Sequence, residues 1–430
     1  MGLLQLNLQF QLLMQYMKRG IMNILLSVSG SIACYKSFDL VRLLIKNGHQ
    51  VRVVLTNGAL RFLKADLFKY LGCEEVYGPE DDFNLQKTEQ MESSVLHVEL
   101  AKWLDKLVIY PASANTISNL AFGRAEDLLS SIFLAKREDT QTIFFPAMNT
   151  QMYLHPITKE NINLLKRLTN SGKTFICPPK EGELICKDKG VGKVRDIEEA
   201  AILIETLSFN EKKKSILITT GATIAPIDPV RYVTNPSSGK TGFALAKDYL
   251  SLGYKVKVIA GIYATKDLEK LKLNPDFDLE RVTTTSDMLE SVKRNLNNYD
   301  LYISSAAISD LEFSYEETKL KKSQLLGSIP FNKAPDVLKY VIENKPAHLK
   351  TVGFAAETEL NEKTLNEKWE RKPVDLLVGT SVHSGAGGKK IEGFGVNECH
   401  YKIFKDGKIE KDLTLLKSDL SKLILEELKW

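Results

Sequence analysis

Short runs of β-branched and aliphatic residues alternate along this chain with stretches whose apolar positions recur every three or four residues. NILLSV at 23–28 opens the series; a helical stretch follows near 33–47, then QVRVVLT at 50–56, KLVIYPAS at 106–113 and TIFFPAM at 142–148. A strand buried on both faces reads as a continuous apolar run, and parallel neighbours need helical crossovers between such runs. The pattern therefore predicts βαβ units on a parallel sheet. It closes with a helix at about 196–208, and the charged, aperiodic FNEKKKS at 209–215 reads as a linker.

The alternation then restarts with SILITTG at 215–221, a helix from about 239 to 252, YKVKVIAG at 254–261, LYISSAA at 301–307 and LKTVGFAAE at 349–357. HYKIF and KIEKDL flank Asp406-Gly407, a pair suited to a two-residue hairpin, so an antiparallel edge is expected on this second sheet. The expected class is α/β, with two doubly wound domains at 22–208 and 216–430 and residues 1–21 as an N-terminal extension.

Length agrees, since 430 residues exceed one small core and suit two domains. Lys and Arg number 58 against 54 Asp and Glu, with no basic run beyond Lys212-Lys213-Lys214. That lacks the electrostatic footprint of a nucleic-acid binder and leaves small anions as partners. Five widely spaced cysteines without C-x-x-C argue against a disulfide framework or a zinc site, and for a reducing cytoplasm. Residues 1–20 are apolar, but Lys18 and Arg19 follow the apolar part, and the segment is too polar and short to span a bilayer. Met22 reads as a functional start.

Chemistry gathers at the predicted strand ends. The first strand runs into Ser29-Gly30-Ser31 and a helix start, a place for a phosphate or a plain βα turn. The third ends in Ser113-Ala114-Asn115-Thr116, at the edge where doubly wound sheets bind ligands. His97 sits in the apolar-alternating LHVELAKW, PAMNTQMY at 146–153 suits a pocket lip, and Glu181 to Gly192 reads as a flap carrying Cys186. In the second half, Gly239-Lys240-Thr241 is no phosphate-binding P-loop, because the glycine needed five residues earlier is Thr234. A Ser/Gly-rich turn into a helix remains, with lysines near later strand ends.

VSGSIACYK (28–36), LHVELAKW, YPASANTI (110–117), PAMNTQMY and the Cys186 flap together resemble the flavin-dependent cysteine decarboxylases, above all the decarboxylase half of the bifunctional coenzyme A biosynthesis flavoproteins. DPVRYVTNPSSGKTGFALA (228–246), SAAISD (305–310), KLKK (319–322) and GFAAET (353–358) resemble the phosphopantothenate–cysteine ligase half.

The resemblance implies a flavodoxin-like domain binding FMN at Gly30, Ser31, Thr56, Ser113, Asn115 and Thr116. There His97 is the base, Asn149 holds the leaving carboxylate, Met152 shapes the pocket and Cys186 donates a proton. It also implies a Rossmann-like ligase domain that uses CTP and Mg2+ to join 4′-phosphopantothenate to cysteine through an acyl-cytidylate. Ser304, Ser305, Ala306, Asp310, Lys319, Pro335, Asp336, Val337, Leu338, Phe354, Lys368 and Lys372 would contact the nucleotide, Lys319 as a catalytic residue too. Asn235 and Arg231 would handle the acyl-cytidylate; the metal ligands stay unassigned. A cytoplasmic homo-oligomer with trimeric decarboxylase and dimeric ligase contacts is implied, with neither nucleic acid nor membrane as partner. Glu126, Ala334 and Gly379-Thr380 stand where the family carries asparagine-bearing motifs. Two alternatives stay open: one competent half only, or a flavin-binding interaction platform, against which His97, Asn149 and Cys186 together count.

Overall fold

The computed structural model describes residues 20–87, 95–168, 173–183, 189–209, 214–321, 329–382 and 398–430. Most of the expected extension at 1–21, most of the expected linker at 209–215, Cys186 and Lys322 lie outside the described residues. The chain divides between Glu205 and Thr206 into two compact units.

The first unit is built on parallel strands β1 (Asn23–Val28), β2 (Gln50–Leu55), β3 (Glu75–Tyr77), β4 (Lys106–Ala112), β5 (Gln141–Pro146) and β6 (Thr174–Ile176), in the order β3-β2-β1-β4-β5-β6. The order 3-2-1-4-5-6 is the Rossmann-type doubly wound order; the expected flavodoxin-like order, 2-1-3-4-5, is exceeded by the short parallel strand β3, which pairs with β2 and adds an edge. The apolar runs of β1, β4 and β5 are buried almost throughout, as the continuous pattern requires. A hairpin of β7 (Lys180–Glu183) and β8 (Lys189–Lys193) forms a separate ribbon.

The helix expected near 33–47 is entered through a tighter 3-10 turn at Ile32–Lys36, after which α1 (Ser37–Lys46) buries Leu40, Val41 and Leu44. The apolar alternation of LHVELAKW is carried by a helix, α2 (Leu96–Trp103), because Leu96, Leu100 and Ala101 share one face at helical spacing. It is followed by α3 (Ala114–Ala121), α4 (Leu128–Ala135), α5 (Thr150–Leu154) and α6 (Pro156–Leu168).

The second unit contains β9 (Ser215–Thr220), β10 (Ile224–Asp228), β11 (Arg231–Thr234), β12 (Lys255–Gly261), β13 (Phe277–Val282), β14 (Leu301–Ser304), β15 (Leu311–Phe313), β16 (Phe331–Lys333), β17 (Lys350–Glu357), β18 (Leu376–Ser381), β19 (Glu398–Lys405) and β20 (Lys408–Leu416). Its main sheet runs β13-β12-β9-β14-β17-β18-β19-β20; the six strands to β18 are parallel and the last two antiparallel. Asp406 (φ 48°) and Gly407 (φ 83°) are both left-handed, the geometry a two-residue hairpin demands. The expected antiparallel edge is therefore present, and β10–β11 and β15–β16 form separate ribbons.

The helices of this unit are α7 (Lys240–Ser251), α8 (Thr285–Asn295), α9 (Val337–Asn344), α10 (Glu362–Arg371) and α11 (Lys417–Leu428). Asp248 of α7 faces α11 and takes a hydrogen bond from Ser421 Oγ at 3.0 Å. Burial pushes its carboxyl up to about 7, against that hydrogen bond and the charges of Lys247 and Lys422. A carboxyl raised on folding contributes stability below the unfolded value near pH 4 and loses it as pH rises through 7. Asp248→Asn is therefore expected to be the more stable protein at pH 8, by about 1–3 kcal/mol, with the gap closing toward pH 4. Melting both proteins across that range checks the sign.

Candidate active sites

In the first unit the switch point lies between β1 and β4, whose carboxyl ends lead into two loops facing one crevice. Ser29 ties the loops together: its Oγ donates to Pro111 O (2.7 Å) and accepts from Ser113 N (2.8 Å). Ser113 in turn caps α3 by accepting from Thr116 N. The loop after β2 closes the third side, with Thr56 N donating to Val28 O at 3.1 Å. There Gly30 and Gly58 touch backbone to backbone, and a Cβ on Gly30 would stand 2.7 Å from Gly58 Cα. Between these loops is a cavity of about 250 Å³ whose lining includes Thr56, Ser113, Asn115 and Thr116 together with the carboxylates of Glu126 and Asp127.

A larger cavity of about 810 Å³ continues from Gly30, Ser31 and Ser113 toward Met148, Asn149 and Met152. Asn149 caps α5, its Oδ1 accepting from Gln151 N at 2.8 Å. The β7–β8 ribbon is packed onto this turn. Met148 N donates to Gly192 O (3.1 Å), and a Cβ on Gly192 would overlap the Met148 carbonyl. Cys186 falls in sequence between the two strands of that ribbon. Lys36, which lies 3.9 Å from Asp196, Lys193 and Glu183 line the same cavity.

His97 lines neither cavity. Its Nδ1 lies 2.7 Å from Asp82 Oδ2, and its backbone N–H donates to Asp82 Oδ1 at 3.0 Å. A carboxylate only accepts, so this contact puts the proton on Nδ1 and leaves Nε2, on a ring edge 28% exposed, for other work.

In the second unit a cavity of about 110 Å³ opens at the carboxyl edge of the sheet, between the Ser237–Gly239 turn, Ser305, Ala306 and Phe354. Ser305 is fixed by its N–H and Oγ, both donating to Thr219 O at 3.0 and 2.8 Å. Asn235 reaches the same edge, with Nδ2 donating to Ile308 O at 3.1 Å. Arg231 is committed elsewhere: it pairs with buried Asp228 at 2.5 Å and donates to Leu320 O, anchoring the segment that carries exposed Lys319. Asp336 caps α9 and pairs with Lys372 at 2.6 Å, while Lys368 pairs with Glu357. Burial works against the Asp336 charge, but Lys372 and the Lys339 amide hold its carboxyl below the usual range.

Residues 14–208 match the family model described as Flavoprotein, and residues 211–429 that of the DNA/pantothenate metabolism flavoprotein C-terminal domain. The crystal structure of the C-terminal domain of coenzyme A biosynthesis bifunctional protein CoaBC is 29% identical and covers 51% of this chain and 96% of that one, at a TM-score of 0.39. The CoaBC protein of Bacillus subtilis (strain 168) is 35% identical over 414 residues, 94% of this chain and 96% of that protein. That of Vibrio vulnificus (strain YJ016) is 37% identical over 392 residues, 88% and 90% of the two chains. The chain belongs to the CoaBC family.

Within this CoaBC-family chain, the structure brings Gly30, Ser31, Thr56, Ser113, Asn115 and Thr116 together with Asn149 and Met152 along one continuous crevice. Ser305, Ala306 and Phe354 share the ligase-half cavity; Asp310, Lys319, Lys368 and Lys372 do not line it. Three side chains expected at the nucleotide turn inward instead. Ser304 and Val337 are buried, and Leu338 is half-buried with its side chain packed against the core. Gly58 and Asp82 are not among the residues the sequence singles out. The Asp81-Asp82 pair upstream of His97 is the signal that could have found Asp82. Among the described residues no group of three or more His, Cys, Asp or Glu could hold a metal ion, and no helix is long and apolar enough to cross a membrane.

Proposed function

We propose that the second unit joins 4′-phosphopantothenate to cysteine at the expense of CTP, and that the first decarboxylates the product to 4′-phosphopantetheine. The observation that carries this reading is the similarity to CoaBC proteins over about nine-tenths of both chains, each half of which has its own cleft at a sheet's carboxyl edge.

The first crevice fits FMN. Its narrow end offers hydroxyls, α3 amides and a glycine-to-glycine contact too close for any Cβ, which suits a phosphate. Its wide end is large enough for a ring system and a substrate. FMN, when bound, takes up and returns the two electrons that make carboxylate loss from the cysteinyl carbon possible. The protein's share is placement. Asn149 orients the carboxylate, Met152 packs beside it, Lys36 and Lys193 offset the substrate's negative charge, and Cys186 returns a proton. His97 serves as base from a neighbouring copy, since it lines neither cavity of its own chain.

In the ligase half, the carboxylate oxygen of 4′-phosphopantothenate attacks the CTP α-phosphorus and pyrophosphate leaves. The cysteine amine then attacks the mixed anhydride and CMP leaves. Ser305, Ala306 and Phe354 hold the nucleotide, Asn235 the acyl-cytidylate and Lys319 the developing phosphate charge; Mg2+ enters with the nucleotide phosphates. Arg231 acts by positioning the Lys319 segment, and Lys368 and Lys372 act with their carboxylates. The localisation proposed is cytoplasmic, where these soluble substrates occur.

Incubating purified protein with FMN, 4′-phosphopantothenate, cysteine, CTP and Mg2+ is expected to yield 4′-phosphopantetheine and CMP by mass spectrometry. Accumulation of 4′-phosphopantothenoylcysteine would remove the decarboxylase assignment, and unconsumed CTP the ligase assignment.

A further inference from the structure

We propose that Lys417 holds the outer phosphates of the nucleoside triphosphate in the ligase half, and the pyrophosphate released from them. This rests on the ligase reading above and adds a residue from the far end of the chain to that site. Lys417 opens α11, and its side chain is 7% exposed, at the wall of the 110 Å³ cavity. Among the described residues its ammonium meets no carboxylate and no hydrogen-bond acceptor. The lysines of α10 differ, since Lys368 and Lys372 each carry a carboxylate partner.

A buried cation without a counter-ion is costly unless a ligand brings one. The cavity is built for an anion. It contains no acidic residue, and it has hydroxyls from Ser237, Ser305 and Thr380. Lys240, at the start of α7, lines the same space, and its charge also acts on Asp267. The helix opens there from Gly239 (φ 72°) without any side-chain cap, so its first amides face the cavity uncapped. Burial holds the Lys417 ammonium below the ordinary lysine range; neighbouring Cys399 works against that shift and the Lys240 charge adds to it. An anion placed between the two lysines relieves their repulsion and restores the charge. The chemistry selects a compact polyanion, and in this reaction those are the β- and γ-phosphates and the pyrophosphate they become.

The test is calorimetric titration of the full-length protein with CTP, CMP and inorganic pyrophosphate, in magnesium buffer, for the wild type, Lys417→Met and Lys417→Arg. Lys417→Met is expected to weaken CTP and pyrophosphate binding roughly 10- to 100-fold, the scale of one lost charged hydrogen bond, and to spare CMP, which lacks the outer phosphates. Lys417→Arg keeps the charge and is expected to recover most of the loss. Unchanged CTP and pyrophosphate binding in Lys417→Met overturns the proposal, as does an equal loss of CMP binding, which would mark a structural residue. A wild type that binds no CTP overturns the ligase reading and this inference with it.

Discussion

Gly30→Ala protein is expected to leave purification without flavin and to stop at 4′-phosphopantothenoylcysteine. The added Cβ would sit 2.7 Å from Gly58 Cα and 2.9 Å from Gly58 C, and both contacts are backbone, so no side chain can swing aside. The β1 and β2 loops must separate, which moves Ser29 away from Ser113 and opens the narrow end of the crevice. Overpacking of this kind costs about 1–3 kcal/mol, and the phosphate contacts of two loops go with it, so FMN retention should fall at least tenfold. Flavin absorbance of the purified protein and equilibrium dialysis against FMN measure this directly. Gly78→Ala is the control, because its Cβ meets nothing nearer than Asp81 at 3.8 Å and should leave flavin content unchanged. A yellow, active Gly30→Ala enzyme would remove the loop cradle from the FMN site. Ligation, housed in the other unit, should proceed in either variant.

The central strands were legible because each is an unbroken apolar run, and a run long enough to be buried on both faces has few other places to go. Asp406-Gly407 was legible for a different reason: few residue pairs tolerate two successive left-handed conformations. LHVELAKW shows the limit of pattern. Leu96 and Leu100 lie four apart, a spacing that satisfies both periods, and burial of Ala101 beside them settles the helix only once α4 is in place. The site residues divide in the same way. Those on a loop directly following a strand, such as Ser113 or Ser305, could be found from the strand alone. Asp82 and Lys417 could not. Asp82 meets His97 across fifteen residues, and Lys417 reaches the Ser237 turn from the other end of the unit. No local pattern reports such partners. A residue such as Val337 fails in the opposite direction: the resemblance places it at the nucleotide, while its side chain is buried in the core.

His97→Asn is expected to lower decarboxylation by about 10² to 10⁴, the range for loss of a positioned base, while leaving CTP consumption intact. Asn retains a hydrogen-bond donor toward Asp82, so the α2 start and the Asp81–Phe83 turn should hold and the protein should fold and bind FMN. Asp82→Ala is expected to lose less and to change the pH profile of decarboxylation, since it frees the ring tautomer rather than removing the ring. The decisive experiment mixes subunits. His97 lines neither cavity of its own chain, and on the reading proposed above it comes from one copy and Asn149 from another. Co-expressing His97→Asn with Asn149→Asp, each inactive alone, should then restore about a quarter of wild-type decarboxylation, the share of interfaces that pair an intact His97 with an intact Asn149. Restoration places the base across a subunit boundary. Persistent inactivity in mixed oligomers of confirmed composition would put both residues on one chain and require α2 to move toward the Asn149 turn.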